Sequence, residues 1–572
     1  MKRSVLLLVI PLMVFVSCTK GYREYNSDSE FSDSVMKWAY IFDPSVFSWN
    51  ERLRELQWFE YVSQDLKGIT VLSTAENIET HYWESQFLSK AFEEITGIRV
   101  DHKIQPEGNL VRDIMDQIEN NNYHYDIYVN DTDMIGTHLR MGSVVNLSAY
   151  MEREGWQFTD PYLDLDDFLN LSMGQDYNKN QLQLPDQQFA NLYWFRYDWF
   201  TRKDIKQLFK DQYGYELGVP LNWSAYEDIA EFFNNTRIDG KRVYGHIDYG
   251  KPSPSLGWRF TDSWLAMAGV GDPGIPNGLP VDDWGIRVEN YVPVGSTTGR
   301  GGATDSPAAI YALKKYLEWL NKYAPAEARQ WEWSDAGTRA SEGDVAQRIF
   351  QYTTWLSDPS FHRPSSPVTD IDGSPKWRLA PSPHGKYWDP GMKSGYQDCG
   401  SWTIPKGITG KKRAAAWLWA QFCVSKSVSL KKYLIGGTPV RFSTVNSAYI
   451  TKRMESYGGL IEFYRSKAQK SWTSSSLNVP YYSSMSQLWW KNIAESIRGV
   501  SSPEETMSKI ANEQDELMSR LQLPLFSPEI EHSLGEDYWL NQNGSPKPEI
   551  TDEPLPQTVS YEKLLREWRN EL

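Results

Sequence analysis

The amino-acid sequence predicts an α/β fold with a parallel sheet, and two observations support this prediction. Residues 68–72 predict a strand, residues 84–96 an amphipathic helix, and residues 98–100 the start of a second strand. Because parallel strands need a crossover of a dozen or more residues, usually a helix, this succession predicts a βαβ unit. In addition, the 40% hydrophobic content and the mean hydropathy of -0.56 over 572 residues are typical of a globular protein with a sizeable core.

Local signals extend this pattern along the chain. Residues 84–96 carry apolar side chains at helical spacing, and Gly97 predicts the end of that helix. Residues 110–119 predict a second amphipathic helix and residues 125–129 a third strand, so the alternation of strands and helices continues. A further strand is predicted over residues 244–247.

Three later helices have recognisable N-terminal signals. Residues 224–227 match a capping box, in which a serine and a glutamate three residues later satisfy free backbone amides. Ser306 and Ser502 each precede a proline, a pattern that predicts a capping serine before a proline at the first helical position.

The charge balance and the cysteine content exclude several classes of protein. With 74 acidic and 59 basic residues, a formal net charge of -15, the chain lacks the basic face that a nucleic-acid binder needs. Three cysteines cannot form a disulfide framework, and without a CxxC or a spaced Cys/His set the sequence predicts no metal site and no cofactor. Cys399 and Cys423 are expected to be buried free thiols. The 25 Trp and 33 Tyr offer faces that suit sugar or polyol ligands, although most of these rings must belong to the core.

Residues 1–18 resemble a secretory signal peptide of the bacterial lipoprotein type. A basic start precedes an apolar run, residues 5–16, that is too short to span a bilayer permanently. Such signals end in a cysteine that becomes the lipidated N-terminus, here Cys18, although Phe15 stands where they prefer leucine. Plain secretion is the alternative, and both place the protein in the cell envelope, facing the periplasm or the cell exterior. Residues 19–67 are expected to form a tether and an N-terminal extension.

Seven sequence blocks carry a resemblance to a known family. They are residues 92–100, 125–131, 184–198, 257–262, 380–385, 395–402 and 458–465. These blocks resemble the extracellular solute-binding proteins, family 1, which supply bacterial ABC importers with sugars and polyols. They are similar in particular to a long branch that includes the binding protein of the rhizobial-type glycerol importer, and the resemblance covers about residues 60–570.

The resemblance implies the periplasmic-binding-protein fold, in which two α/β lobes joined by a hinge close around a ligand in the cleft between them. It implies that residues 68–185 form the first part of the first lobe and residues 186–400 mainly the second lobe. Residues 401–572 would return to complete both lobes. A cleft of this kind agrees with the βαβ pattern, because ligands of open parallel sheets lie beyond the carboxyl ends of the strands.

Candidate ligand contacts are the polar and aromatic side chains near predicted strand ends and loops in and around these blocks. A hydroxyl-rich ligand needs carboxylates and amides for hydrogen bonds and an aromatic face against its C–H surface. The candidates are Asn130, Asp131, Asp186, Gln187, Gln188, Asp248, Tyr249, Trp258, Tyr352, Trp355, Gln397, Asp398 and Trp402. Asp131 and Asp186 can equally cap a helix or turn, and a lone tyrosine or tryptophan in this aromatic-rich chain belongs to the core more often than to a site. Gly400 is expected to let the backbone approach a ligand.

Together these observations predict the substrate-binding component of an ABC importer, which captures glycerol or a related small polyol or sugar and delivers it to the membrane permease. The expected partners are a small neutral polyhydroxy ligand and the permease subunits, without nucleic acid. No catalytic residue is predicted, because no Ser-His-Asp order, metal triad or phosphate-binding glycine loop occurs.

Two alternative functions remain. A surface glycan-binding lipoprotein of mostly helical build fits the anchor and the aromatic content, but not the βαβ unit. A secreted glycoside hydrolase would also be acidic and rich in tryptophan, but it needs a pair of carboxylates at a defined separation, which sequence alone does not identify.

Overall fold

The computed structural model describes residues 30–273, 280–471, 476–523 and 534–570. The predicted signal peptide, with Cys18, therefore lies outside the described residues. The strands in chain order are β1 (Thr70–Glu76), β2 (Arg99–Gln105), β3 (Ile127–Asp131), β4 (Leu184–Arg196), β5 (Val219–Pro220), β6 (Arg237–Ile238), β7 (Lys241–Arg242), β8 (Arg287–Glu289), β9 (Val292–Gly295), β10 (Gln347–Tyr352), β11 (Trp377–Ala380), β12 (Gln397–Thr403) and β13 (Thr558–Val559).

The largest sheet has the strand order β10-β4-β12-β3-β1-β2, with β11 also paired to β4. β1 runs parallel to β2 and β3, which confirms the predicted βαβ unit. β12 enters the sheet antiparallel to both β3 and β4. The sheet is therefore mixed rather than wholly parallel, because the chain returns late to insert a strand between two early ones.

Strand β4 is 13 residues long and belongs to both halves of this sheet. Its first half, up to Ala190, pairs with β12, and its second half pairs with β10 and β11. One hydrophobic core surrounds β1 and β2, and a second, larger core surrounds the far half of β4. The α/β prediction is confirmed, and the crossing strand joins two lobes.

The helices cover the faces of the sheet and build most of the second lobe. Before β4 the α-helices are Asp33–Ile41, Trp49–Val62, Glu79–Trp83, Ser89–Thr96, Glu107–Asn120, Ile135–Met141 and Leu147–Glu152. Between β4 and β12 they are Tyr197–Phe200, Lys203–Tyr213, Trp223–Asn235, Pro254–Arg259, Leu265–Ala268, Pro307–Lys322 and Trp333–Arg339. After β12 they are Gly410–Cys423, Lys426–Gly436, Phe442–Val445, Ala448–Thr451, Leu460–Arg465, Tyr482–Ile497, Pro503–Arg520, Glu536–Trp539 and Tyr561–Asn570. Two π-helical segments, Glu84–Leu88 and Phe260–Trp264, interrupt α-helices.

The predicted helix starts and ends agree with the structure in part. Gly97 ends its helix with φ of 72°, and Ser306 and Ser502 cap theirs, as predicted. The capping box at residues 224–227 is wrong, because the helix begins earlier and Asn222 accepts from the amide of Ala225. Asparagine and serine cap equally well, so the sequence offered two competing N-caps two residues apart.

The predicted strand over residues 244–247 is also wrong. Only Tyr244 forms a β-bridge, with Val345, and the next residues leave the sheet. Gly245 explains part of this, because a Cβ built on it would lie 1.8 Å from the carbonyl oxygen of Ala230. The segment passes so close to the helix Trp223–Asn235 that it follows the helix surface rather than a neighbouring strand.

The two N-terminal helices pack on the first lobe. The ring of Trp38 lies edge-on to Phe87 with centroids 5.3 Å apart, and Phe59 meets Phe422 at 5.2 Å. The first described helix therefore begins at Asp33. Cys399 and Cys423 are both buried free thiols, as expected. Within the described ranges, no helix combines the length and the apolar character needed to cross a membrane.

We expect Gly245→Ala to destabilise the protein by about 1–3 kcal/mol, because its methyl group would force two backbone segments apart. Urea unfolding followed by tryptophan fluorescence measures this change. Gly108→Ala is the matched control, since a Cβ at this helical position meets only Pro254 Cγ at 3.7 Å. The control should be neutral or stabilising. Equal effects of the two substitutions would contradict the close approach at Gly245.

Candidate functional site

A cleft between the two lobes contains about 510 Å³ that protein atoms do not fill, part of it open to solvent. Six carboxylic acids line the cleft, namely Glu76, Glu107, Asp131, Asp133, Asp262 and Asp398. The other lining residues are six aromatic ones, Phe189, Trp258, Trp333, Tyr352, Tyr396 and Tyr482, together with Ile78, Gln187, Thr354 and Thr438.

The parallel strands of the first lobe supply one wall of the cleft. Glu76 is the last residue of β1 and Asp131 the last of β3. Glu107 opens the helix that follows β2. All three therefore lie at the carboxyl edge of the parallel strands, where ligands of such sheets bind.

The second lobe supplies the facing wall. Trp258 lies on the helix Pro254–Arg259, and Asp262 on the π-helical segment that continues it. Tyr352 ends β10, and its hydroxyl donates to Asp262 Oδ2 at 2.7 Å. Because π-helical turns often occur at functional sites, the position of Asp262 within one agrees with a role in this cleft.

The electrostatics of the cleft are one-sided. Among the described residues that line it, none is a lysine, arginine or histidine. Burial, with the Asp133 carboxylate nearby, raises the pKa of Asp398 to about 7. Burial also raises the pKa of Glu107, Asp131 and Asp262 well above the ordinary carboxyl range. Part of the acids therefore keep their protons near neutral pH, and the cleft offers hydrogen-bond donors as well as acceptors.

Hydrogen bonds fix the direction of several of these acids. Asp398 accepts from the Tyr396 hydroxyl at 2.7 Å and from the backbone amides of Thr132 and Cys399 at 3.0 and 2.7 Å. Asp133 accepts from Ser476 at 2.5 Å and from the Tyr482 hydroxyl at 3.1 Å. These acids are held in place before any ligand arrives.

Glu107 and Asp131 differ from the other acids. In the part of the chain that the structure describes, neither carboxylate accepts a hydrogen bond from a protein donor, and both face the cleft. A carboxyl group in this state has its oxygen lone pairs, and the proton that it holds near neutral pH, available for the hydroxyl groups of a ligand. These two residues are therefore the acceptors that a ligand can reach most directly.

Aromatic rings complete the walls. Phe189 meets Tyr352 edge-on with centroids 5.4 Å apart, and Trp333 meets the same tyrosine at 6.2 Å and 81°. Edge-on packing holds the rings at defined angles. An apolar C–H surface can pack against such faces while the polar groups of the same ligand reach the acids.

The structure brings five of the predicted site residues into the cleft, namely Asp131, Gln187, Trp258, Tyr352 and Asp398. Gln187 donates to Glu76 Oε1 at 3.4 Å and accepts from Thr438 at 3.3 Å. Asn130 is next to Asp131 but lines only a smaller neighbouring cavity, and Thr403 donates to its side-chain oxygen at 2.8 Å.

Two further candidates belong to a cluster behind the cleft. Asp186 accepts from the indole of Trp402 at 2.5 Å and pairs with Lys432 at 2.5 Å. His81 and Glu84 lie beside them. Asp186, His81, Glu84 and Lys432, with His102, are called the buried ion cluster below. Asp186 and Trp402 are completely or almost completely buried and do not line the cleft.

Three other candidates also point away from the cleft. Gln397 accepts from Gln188 and from Asn170 at 3.3 Å, so both glutamines belong to a buried amide network. Asp248 accepts two hydrogen bonds from Arg259, at 2.8 and 2.9 Å, in a fully buried ion pair.

The last two candidates are Tyr249 and Trp355. Tyr249 is buried, and its hydroxyl donates to the Ser255 carbonyl at 3.3 Å. The side chain of Trp355 lies outside the described part of the structure.

The remaining lining residues are not among the candidates predicted from the sequence. Two of them, however, lie after predicted strands, which is where the other candidates were sought. Glu76 and Glu107 follow the first two predicted strands, but the first is predicted to end at residue 72 and the second is predicted only from its start. Gly400 also acts differently from expectation, because a Cβ there would lie 2.9 Å from Gln187 Nε2. Its missing side chain makes room for the amide of Gln187 rather than for a ligand.

Residues 88–455 match the bacterial extracellular solute-binding protein family. Among solved structures, the fold is similar to a ribitol-bound ABC-transporter solute-binding protein of Agrobacterium radiobacter K84, with a TM-score of 0.61, 18% identity and coverage of 79% of this chain and 99% of the other. The fold is also similar to a maltose-bound protein of T. maritima, with a TM-score of 0.59 and 17% identity over 79% of this chain and 100% of the other. For a mannitol-bound protein of Agrobacterium vitis S4, the TM-score is 0.57 and the identity 15%, over 80% of this chain and 100% of the other. At these identities the similarity concerns the fold.

We expect Asp398 to make the ligand-free protein less stable as the pH rises. Its pKa is about 7 in the folded protein, against an ordinary value of 3.8. Because the folded state holds this proton more tightly, the contribution to stability is complete below about pH 4 and is lost as the pH rises through 7. Between about pH 5 and about pH 8, the free energy of unfolding should fall by up to about 3 kcal/mol more in the wild type than in Asp398→Asn.

Urea unfolding at each pH measures this difference, with Asp372→Asn as the control for the removal of an exposed carboxylate. The control should follow the wild type. If Asp398→Asn also follows the wild type at every pH, the carboxyl group titrates in its ordinary range and the electrostatic description of the cleft is wrong.

Proposed function

We propose, since the chain belongs to the bacterial extracellular solute-binding proteins, that it is the substrate-binding component of an ABC importer and that it captures a small polyol or sugar, glycerol included. The observation that carries this proposal is the cleft where β4 passes from one lobe to the other, with six acids and six aromatic residues on its walls. The bound solute would then pass to permease subunits in the cytoplasmic membrane.

The proposed ligand is neutral and rich in hydroxyl groups. A hydroxyl both donates and accepts, so it matches a cleft in which some carboxyl groups are ionised and others, such as Asp398, hold a proton near neutral pH. An anionic ligand would add negative charge beside six acids, with no basic residue among the described residues of the walls, which is unfavourable in a partly desolvated site.

The size of the cleft supports a range of ligands. Because part of the 510 Å³ is open to solvent, this volume selects no single ligand size. A ligand of six heavy atoms is limited to roughly -9 kcal/mol, or a dissociation constant somewhat below micromolar, and only if nearly every hydroxyl is bound. Glycerol, longer polyols and monosaccharides therefore all belong in the test.

Capture without chemistry is part of the proposal. In this proposal, residues 68–185 form the first part of the first lobe and residues 186–400 mainly the second lobe, and residues 401–572 return to complete both. With this division, β4 is the hinge. Closure of such lobes around a ligand excludes water and provides the signal for a permease. The solute should therefore be recovered unchanged after incubation, and hydrolysis of a glycoside by the pure protein would contradict this part.

We expect Asp131→Asn to weaken binding of the cognate ligand roughly 2- to 10-fold, because the amide replaces an acceptor oxygen by a donor and a neutral hydrogen bond contributes about 0.5–1.5 kcal/mol. A thermal-shift screen of glycerol, polyols, mono- and disaccharides identifies the ligand, since a ligand that binds only the folded state raises the melting temperature. Calorimetry then measures the affinity of each variant. Asp372→Asn, the same change at an exposed loop, should leave the affinity unchanged.

The order of effects distinguishes the ligand classes. For a small polyol, Asp131→Asn should weaken binding more than Trp258→Ala, because hydrogen bonds dominate. For a disaccharide the order should be reversed, since larger C–H faces pack on rings. The importer proposal fails if no polyol or sugar shifts the melting temperature while a phosphate or dicarboxylate binds tightly.

We also propose that Cys18 carries a lipid anchor, which keeps the protein in the cell envelope. The lipoprotein-type ending of residues 1–18 supports this proposal. Cys18→Ser should move the protein from the membrane fraction to the soluble envelope fraction, and mass spectrometry of the wild-type N-terminus should find a diacylglyceryl group. Cys423→Ser, a change at a buried thiol, is the control and should stay with the membrane. An unmodified N-terminus in the wild type would support plain secretion instead.

A further inference from the structure

The buried ion cluster, His81, Glu84, His102, Asp186 and Lys432, lies behind the cleft in the first lobe and does not line it. The side chains of His81, Glu84, His102 and Asp186 have no solvent exposure, and that of Lys432 has 3%. The cluster joins four elements, since its members come from the helix after β1, from β2, from β4 and from the helix Lys426–Gly436.

Hydrogen bonds orient both imidazole rings towards the carboxylates. Nδ1 of His81 lies 2.9 Å from the carbonyl oxygen of Glu76, and because a carbonyl only accepts, this nitrogen carries the proton. Nδ1 of His102 similarly lies 2.8 Å from the hydroxyl of Ser73. Outer hydrogen bonds of this kind are typical of metal-binding histidines, whose other nitrogen is turned to the metal.

The inner atoms of the cluster face one another without hydrogen bonds. Nε2 of His81 is 3.7 Å from Oδ2 of Asp186, and Nε2 of His102 is 3.8 Å from Oε2 of Glu84. All four atoms are buried and lack a hydrogen-bond partner. These separations exceed those of hydrogen bonds. Burial opposes ionisation of His81, but the neighbouring Asp186 and Glu84 carboxylates raise its pKa, so a metal at Nε2 would displace a proton.

The same separations fit ligands around a small metal ion. Atoms bound tetrahedrally at about 2.0–2.2 Å lie about 3.3–3.6 Å from one another. One ligand atom each from His81, Glu84 and Asp186 lie within 4.8 Å of one another, so movements of about 1 Å or less would bring them to these separations. Glu84 also begins a π-helical segment, a local widening that is frequent at functional sites.

We propose that the buried ion cluster is a structural metal site for a first-row divalent cation of zinc type, held by His81 Nε2, Asp186 Oδ2 and a Glu84 oxygen, with His102 Nε2 as the fourth ligand. Two imidazoles and two carboxylates are a ligand set that suits Zn²⁺. The bound ion would tie β4, at the residue before Gln187, to the elements behind it.

Lys432 is the competing cation. Its Nζ lies 2.5 Å from both Glu84 Oε1 and Asp186 Oδ1, the outer oxygens of the two carboxylates. It neutralises one of their two negative charges and leaves the inner oxygens to the metal. Because Lys432 competes with the metal for the charge of these carboxylates, Lys432→Met should raise the affinity for the metal.

The test uses the full chain, produced without a polyhistidine tag, unfolded in the presence of a chelator and refolded with or without Zn²⁺. Refolding matters because a fully buried site takes up its metal as the protein folds. After dialysis, elemental analysis should find about one zinc ion per chain, and His81→Gln and Asp186→Asn should each reduce this to less than about one fifth. His138→Gln changes a buried histidine outside the cluster and should keep the zinc.

Two further measurements keep the test decisive if the variants fold poorly. Wild-type protein refolded with Co²⁺ should show the intense visible absorption of a tetrahedral site, and zinc-loaded protein should melt at a higher temperature than metal-free protein. The proposal is overturned if wild-type protein refolded with Zn²⁺ contains no zinc after dialysis. It is equally overturned if folded His81→Gln and Asp186→Asn keep as much zinc as His138→Gln.

Discussion

The pairing of strand β4 is the constraint on which both the cleft and its support depend. Its first half pairs with β12 and its second half with β10 and β11, so a single strand sets the geometry of both lobes where they meet. Because side chains alternate along a strand, Gln187 and Phe189 face the cleft while Asp186 and Gln188 point to the opposite side. A slip of one residue in this pairing would turn the residues of the buried side to the cleft and those of the cleft side inwards. It would disrupt the cleft wall and the buried groups behind it together.

The buried polar groups behind the cleft have a common role. The buried ion cluster, the amide network of Gln188 and Gln397, and the ion pair of Asp248 with Arg259 each lie just beyond the residues that face the ligand. Buried polar groups are unfavourable unless paired, and the two satisfied groups among these, the amide network and the Asp248–Arg259 pair, restrict the core to one arrangement. The walls are therefore ordered before binding, which reduces the loss of side-chain entropy when a ligand arrives.

The sequence predicts those features that depend on neighbours along the chain. The βαβ unit, the helix end at Gly97 and the caps at Ser306 and Ser502 all follow from local patterns, and the structure has them. The direction of a side chain within a strand depends on register, which distant strands determine. The sequence therefore could not show which of two consecutive candidates, such as Asp186 and Gln187, faces the cleft. Asp248 has the same difficulty, because its partner lies on a helix whose packing only the fold reveals.

The position of the N-terminal helix Asp33–Ile41, which packs beside Phe87 on the first lobe, determines how far this protein can move if Cys18 is lipidated. Residues 19–32 are the only link between the two, and a fully extended chain of that length spans roughly 50 Å. The receptor would then search a thin layer above the membrane surface instead of the volume of the envelope. Encounter with a permease would then take place within that layer, where the tether limits how far the first lobe can turn.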